Sequence, residues 1–274
     1  MSTLNHRILP GFRLSFSYAL TYLTILVLIP LAACFAKAST LTWETFWGTV
    51  WTERALAAYA LTFGASCAAA VVDVALGLLI AWVLVRYEFP LKPLFDAIID
   101  LPLALPTAVA GLVYSSLYVQ QGWFGQFLVP LGIEGAYSRL AIVLVLTFIG
   151  LPLTVRTMQP VLATCDDETE EAAACLGASR FRTFAHVILP TLYPAMVTGF
   201  ALAFARALGE YGSVVFVSGN MPYRTEIAPV LIVARLEEFA YGEATAIAVV
   251  LLVISFSMLI IINLLERWSN RYGS

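Results

Sequence analysis

Six apolar runs dominate the chain, at about 14–36, 57–85, 97–119, 139–160, 191–217 and 240–265. Each is long enough, or nearly so, to cross a hydrocarbon layer roughly 30 Å thick. A backbone amide in lipid has no water to bond, so a run of this length must close its own hydrogen bonds as a helix. The alternating ten-residue pattern of a membrane barrel is absent. The expectation is an all-α polytopic membrane protein with six transmembrane helices in one domain, residues 1–274. Composition agrees: 61% of residues are hydrophobic and 12% charged, and a soluble domain carries roughly twice that charged share.

Two runs are irregular. The second is longer than one crossing needs, so it should tilt or emerge from the bilayer. The third contains Pro102 and Pro106, which remove helix donors and should kink or break its start. Orientation follows from basic residues. With six spans both termini share one side. That side holds Arg7, Arg13, Arg86, Lys92, Arg156, Arg180, Arg182, Arg267 and Arg271. The other holds Lys37, Arg54, Arg139, Arg224 and Arg235. Nine against five makes the first side cytoplasmic, in a bacterial-type cytoplasmic (inner) membrane. The first run is long enough to span and follows Arg7 and Arg13, unlike a cleaved signal.

The longest well-charged passage, Asp166 to Pro190, lies on that cytoplasmic side. Asp166, Asp167, Glu168, Glu170 and Glu171 open it, and acidic residues suit a helix N-terminus. Ala172, Ala173 and Ala174 are strong helix formers, and Gly177 permits a sharp turn. A basic, aromatic helix over 179–188 should follow and end near Pro190. Glu171-Ala172-Ala173, three residues, Gly177, nine residues and Val187-Ile188-Leu189-Pro190 resemble the EAA loop of ABC-type importer permeases. Val187 stands where that family prefers Ile. The resemblance implies a type I importer-like permease whose cytoplasmic coupling loop, about 161–190, docks on a separate ATPase. Its coupling residues would be Glu171, Ala172, Ala173, Gly177, Leu189 and Pro190.

Several classes are disfavoured. The only lysines, Lys37 and Lys92, do not sit in a phosphate loop, so this chain should not be an ATP-hydrolysing enzyme. It should bind no cofactor itself, with ATP and Mg held by a partner ATPase. His6 and His186, the only histidines, do not suggest a metal site or a triad; His186 should cap or face solvent on the second loop helix. Cys34, Cys67, Cys165 and Cys175 form no Cys-x-x-Cys and read as small buried hydrophobes. No basic stripe points to nucleic acid; membrane lipid is the expected surrounding.

Three charges fall inside apolar runs: Asp73 in the second, Arg206 and Glu210 in the fifth. A central charge costs on the order of 3 kcal/mol on insertion scales. Such groups pair, face the bundle interior or mark a path. Arg206 and Glu210, four residues apart, should share a helix face. Asp73 is expected to be a structural hydrogen-bond or ion-pair partner. The stretch Arg206 to Gly212, with Ser218-Gly219-Asn220, Arg224-Thr225-Glu226 and Arg235 to Phe239, resembles the membrane subunits of oxyanion importers. It looks most like the T-type subunit of sulfate/thiosulfate permeases. That resemblance implies a homologous W-type permease subunit, two copies of an ATP-binding subunit and a periplasmic sulfate- or thiosulfate-binding protein. The translocation path would then involve Arg206, Glu210, Tyr211 and Asp73. A molybdate or tungstate permease, or an ion-coupled secondary transporter using Asp73 and Glu210, are the alternatives.

Overall fold

The computed structural model describes residues 12–165 and 167–272; for 167 and 265–272 it describes the backbone only. His6, Arg7 and Asp166 lie outside the described residues. All regular structure among them is helical.

Among the described residues five helices are long and apolar enough to cross a membrane: α1 (Phe12–Ala38), α3 (Glu53–Arg86), α7 (Arg139–Ala163), α9 (Arg180–Leu208) and α12 (Tyr241–Tyr272), the last by its stretch Tyr241–Leu264. A short helix, α2 (Trp43–Val50), joins α1 to α3. With 34 residues, α3 is about 51 Å long at 1.5 Å per residue. Thr52 starts it by accepting a hydrogen bond from the Ala55 N–H.

The third run is broken rather than kinked. It forms α4 (Lys92–Ile99), α5 (Leu101–Ala104) and α6 (Thr107–Tyr118). Pro102 lies in the first turn of α5, and extended backbone at Leu105 precedes Pro106, as the ring of a following proline demands. No piece is long enough to cross alone, so the expected sixth span is not one helix.

The fifth run also departs from expectation. Its helix ends at Leu208, and the chain turns through Gly209–Ser213 into a single helical turn, α10 (Val214–Val217), packed on α6. The chain then runs through a loop over 218–227, forms α11 (Ala228–Glu237) and enters α12.

The centre of the molecule is the junction of α3, α7 and α9. Lipid is as apolar as leucine, so such helices associate by close packing of small residues, not by hiding apolar surface. The buried set follows that rule, with Ala65, Ala69, Ala70, Ala81, Ala141 and Ala203 inside, while Leu76, Leu79, Leu202, Phe256 and Ile261 face outward. Gly150 marks the tightest approach. A Cβ there would sit 2.1 Å from Asp73 Oδ2 and 3.3 Å from the Ala203 Cβ, so even alanine would displace the Asp73 carboxyl and press on Ala203, and overpacking of this kind costs about 1–3 kcal/mol.

Ion pairs and packing sort the loops into two ends. At one end Arg86 bonds Glu170, and Arg156 bonds Asp96 at 2.8 Å and Asp100 at 2.5 Å. At the other, Arg54 grips Glu226 with two 2.7 Å bonds, and Arg139 Nε donates to the Arg224 main-chain oxygen at 2.9 Å. For Arg86 and Arg156 on one end and Arg54, Arg139 and Arg224 on the other, the split matches the grouping of loops read from basic residues.

Candidate functional site

The charged loop between α7 and α9 is built as a helix, a left-handed turn and a second helix. Its first helix, α8 (Asp167–Cys175), ends in a Schellman closure. The Ala178 N–H reaches back to Ala173 O at 3.0 Å, and the Gly177 N–H to Ala174 O at 2.9 Å. Gly177 carries φ +79° with open space around it, so the requirement there is backbone handedness, not room. A side chain in this conformation costs roughly 1–2 kcal/mol. Ser179 then caps α9 by accepting from the Arg182 N–H at 3.4 Å.

The second loop helix does not stop at Pro190. It is the first part of α9 and continues into the membrane. Residues Phe184–Ile188 form a wide π turn just before Pro190. Proline lacks an N–H and its ring crowds the carbonyl four residues back; a wide turn there absorbs both effects. Leu189 and Pro190 therefore lie inside a continuous rod, which corrects the separate helix expected over 179–188. His186 is exposed, its Nδ1 3.2 Å from Arg182 O.

Both loop helices are fastened to the end of α3. Arg86 donates to the Glu170 carboxylate, and its guanidinium lies 5.4 Å from the Trp82 ring centre. Trp82 in turn meets Phe184 edge to face, 5.5 Å between centres. Glu171, Ala172 and Leu176 point outward, while Ala173 is half-buried. Glu170, read from sequence only as one of the acids opening the loop and not as a coupling residue, is the described acid of α8 that faces the bundle; the signal was its place one residue before the Glu-Ala-Ala motif. Beside the loop, Arg156 on α7 holds α4 and α5 through Asp96 and Asp100. Hydrogen bonds from Gln159 and Arg156 keep the Asp96 carboxyl below the usual carboxylate range.

Arg206 and Glu210 are paired at 2.7 Å, but not within one span. Arg206 sits in the last turn of α9, and Glu210 lies beyond its end in the Gly209–Ser213 turn. A cation in the last turn suits the helix dipole. The other Glu210 oxygen accepts from the Ser213 N–H at 2.9 Å and its hydroxyl at 3.0 Å. Glu210 is buried at 3% exposure, whereas Arg206 keeps 37%. Tyr211 is half-buried against the core beside α7.

Asp73 stands apart. It is buried between α3 and α7, and among the described residues it forms no ion pair and its Oδ1 has no hydrogen-bond partner. The expected hydrogen-bond or ion-pair partner is thus missing, because the facing position is Gly150 and offers no side chain. No hydrogen bond links Asp73 to Arg206 or Glu210, so the four suggested pathway residues do not form one cluster. The cysteine reading also needs correction: Cys67 and Cys175 are exposed, and Cys34 and Cys165 partly so. Cys34, Cys67 and Cys175 sit on helices and Cys165 in the bend after α7, none of them buried in the small-residue seam.

A loop helix running unbroken into a bundle of long apolar helices defines the class first, a polytopic membrane protein. The solved structure of a bacterial ABC transporter that imports the acidic polysaccharide alginate shares the fold, with a TM-score of 0.74 at 16% identity over 93% of this chain and 94% of that one. The same kind of transporter bound to its alginate pentasaccharide-loaded periplasmic protein gives 0.75 at 17% identity, over 93% of each chain. Residues 73–271 match the family described as binding-protein-dependent transport system inner membrane component, and the chain belongs to that family. It is 50% identical over 263 residues to the sulfate transport system permease protein CysT of Synechococcus elongatus, covering 95% of both chains. The corresponding protein of Escherichia coli is 42% identical over 269 residues, covering 98% of this chain and 96% of the relative.

Proposed function

We propose that this chain is the T-type permease subunit of an ATP-driven importer that carries sulfate or thiosulfate inward across the cytoplasmic membrane. Its partners are a homologous W-type permease subunit, two copies of an ATPase subunit that bind ATP and Mg, and a periplasmic sulfate- or thiosulfate-binding protein. Both termini are cytoplasmic. The anion is supported by the identity to curated sulfate permeases along nearly the whole chain.

One observation carries the coupling role: the loop's second helix and the membrane helix α9 are a single rod. A push on the exposed face of Glu171, Ala172 and Leu176 cannot be absorbed at Leu189-Pro190. It passes into α9 and, through Glu170 and Phe184, into α3. Closure of the ATPase dimer then switches the bundle from inward- to outward-facing. The anion shifts that equilibrium only through different affinity for the two states. Arg206 lines the path and Glu210 holds it partly neutralised, which keeps the site weak enough to release a dianion.

Competition uptake tests the anion. Cells lacking their own sulfate permeases, and supplied with this chain and its partners, should accumulate radiolabelled sulfate, and excess thiosulfate should compete. No sulfate uptake together with saturable molybdate uptake would assign the chain to the molybdate class instead.

A further inference from the structure

At the outer end of the bundle, the loop before α7 and the loop before α11 enclose a cleft of about 870 Å³, lined among others by Glu134, Tyr137, Ser138, Arg139, Arg224 and Thr225. Outer arginines differ in how they are used. Arg54 is held by Glu226, and Arg235 by Glu238 and Glu243. Among the described residues Arg139 and Arg224 have no carboxylate within 4.0 Å, although Glu134 lines the same cleft. Arg139 spends only its Nε, on the Arg224 main-chain oxygen. Among the described residues its two Nη groups and the Arg224 fork have no hydrogen-bond partner, and both side chains are exposed. A guanidinium fork matches the spacing of oxyanion oxygens.

The cleft is also held in place. Met221 O accepts the N–H groups of Arg224, Thr225 and Glu226 at 3.0–3.1 Å, and Thr225 Oγ1 accepts from Met221 N at 3.0 Å. Glu226 anchors the loop to α3 through Arg54. On the other wall the Tyr137 N–H donates to Val217 O at 2.8 Å, and Ser138 caps the N-terminus of α7, whose dipole adds positive potential. Three non-glycine residues with positive φ, Tyr137, Asn220 and Tyr223, flank the two arginines. Such conformations persist only where surrounding structure enforces them.

We infer that Arg139 and Arg224 form an outer receiving subsite for a small tetrahedral dianion, which meets it on entering the permease and before it reaches Arg206. Two cations against one carboxylate leave the lining positive by a single charge, so the subsite collects the anion without trapping it. Clefts of one sign raise the local concentration of their ligand in a salt-sensitive way. This inference rests on the proposed orientation and on sulfate as cargo.

The test uses the assembled complex in nanodiscs and proteoliposomes, with inorganic sulfate as the probe. Arg224→Gln removes a charge while keeping the main-chain oxygen that Arg139 uses, so it spares the loop. Sulfate retention by the complex without binding protein, and uptake with it, should each fall severalfold in R224Q and about tenfold in R139Q/R224Q. Arg139→Lys with Arg224→Lys should recover part of both, and docking of the sulfate-loaded binding protein should be unchanged. Should R139Q/R224Q fail to assemble, R224Q alone decides. Wild-type retention and uptake by R224Q would overturn the subsite. So would loss of binding-protein docking in parallel with uptake, which would assign the arginines to carboxylates of that partner. Absence of sulfate uptake by the unmodified complex would instead contradict the proposed cargo.

Discussion

Arg86, in the last turn of α3, donates a hydrogen bond to Glu170 on α8 while its guanidinium lies over the Trp82 ring. The contact fastens a water-facing loop to a membrane helix 84 positions earlier in the chain. If the loop drives the bundle, this fastening is part of the drive. Arg86→Glu should leave the complex assembled and reduce stimulation of its ATPase by loaded binding protein severalfold. Exchanging the charges, Arg86→Glu with Glu170→Arg, should restore part of it. Full stimulation of Arg86→Glu would remove α3 from the transmission route.

Gly177 carries the turn itself. Gly177→Val places a β-branched side chain at φ +79°, at a local cost of roughly 1–2 kcal/mol. The protein should insert normally, because the position has open space, yet lose ATPase stimulation and transport. Gly177→Asn, which tolerates this backbone region, should retain much of both. Equal loss in the two variants would show that handedness is not what the position supplies.

The Arg206–Glu210 pair is asymmetric. Removing Arg206 leaves Glu210 with two donors from Ser213, whereas removing Glu210 orphans the Ser213 N–H and hydroxyl, both buried, and Arg206 as well. An unmet buried donor costs about 1–3 kcal/mol. Thermal unfolding of the purified chain should therefore show Glu210→Ala to be the more damaging by several degrees. Uptake should reverse the ranking of roles: Arg206→Lys should assemble well and transport at an altered rate. Wild-type uptake by Arg206→Ala with Glu210→Ala would leave the pair a purely structural clasp.

Much of this was legible in the residues because hydropathy and charge act over long stretches. Five of the six runs contain a long helix, and Pro102 and Pro106 marked the break in the third. Glycine spacing located the left-handed turn. What escaped was decided locally. Val214–Val217 prolongs an apolar run although the helix has ended at Leu208. A proline reads as a stop unless a wide turn precedes it, and Phe184–Ile188 carries no compositional sign of one. Glu170 and Glu171 differ by about 100° around a helix, so naming the inward one requires knowing where α3 lies. Asp73 was expected to have a partner, and only the packed structure shows that it faces a glycine.

Orientation has a direct probe in the native thiols. Cys175, exposed in the loop, should react with a membrane-impermeant thiol reagent only from the cytoplasmic face once the other three cysteines are replaced. Bound ATPase subunit should protect it. A cysteine placed at Arg224 should react only from outside. The opposite labelling pattern would invert the bundle and separate the loop from any cytoplasmic ATPase.

The central claim is that ATP hydrolysis on a partner, transmitted through the Glu171–Pro190 segment, drives inward movement of sulfate. Its most direct measurement is radiolabelled sulfate uptake into proteoliposomes holding this chain, its permease partner and the ATPase, with loaded binding protein outside and ATP inside, with and without a protonophore. Uptake that requires internal ATP, survives the protonophore and disappears in Gly177→Val is the predicted result. Uptake that proceeds without ATP, or collapses with the protonophore while internal ATP is intact, would contradict it.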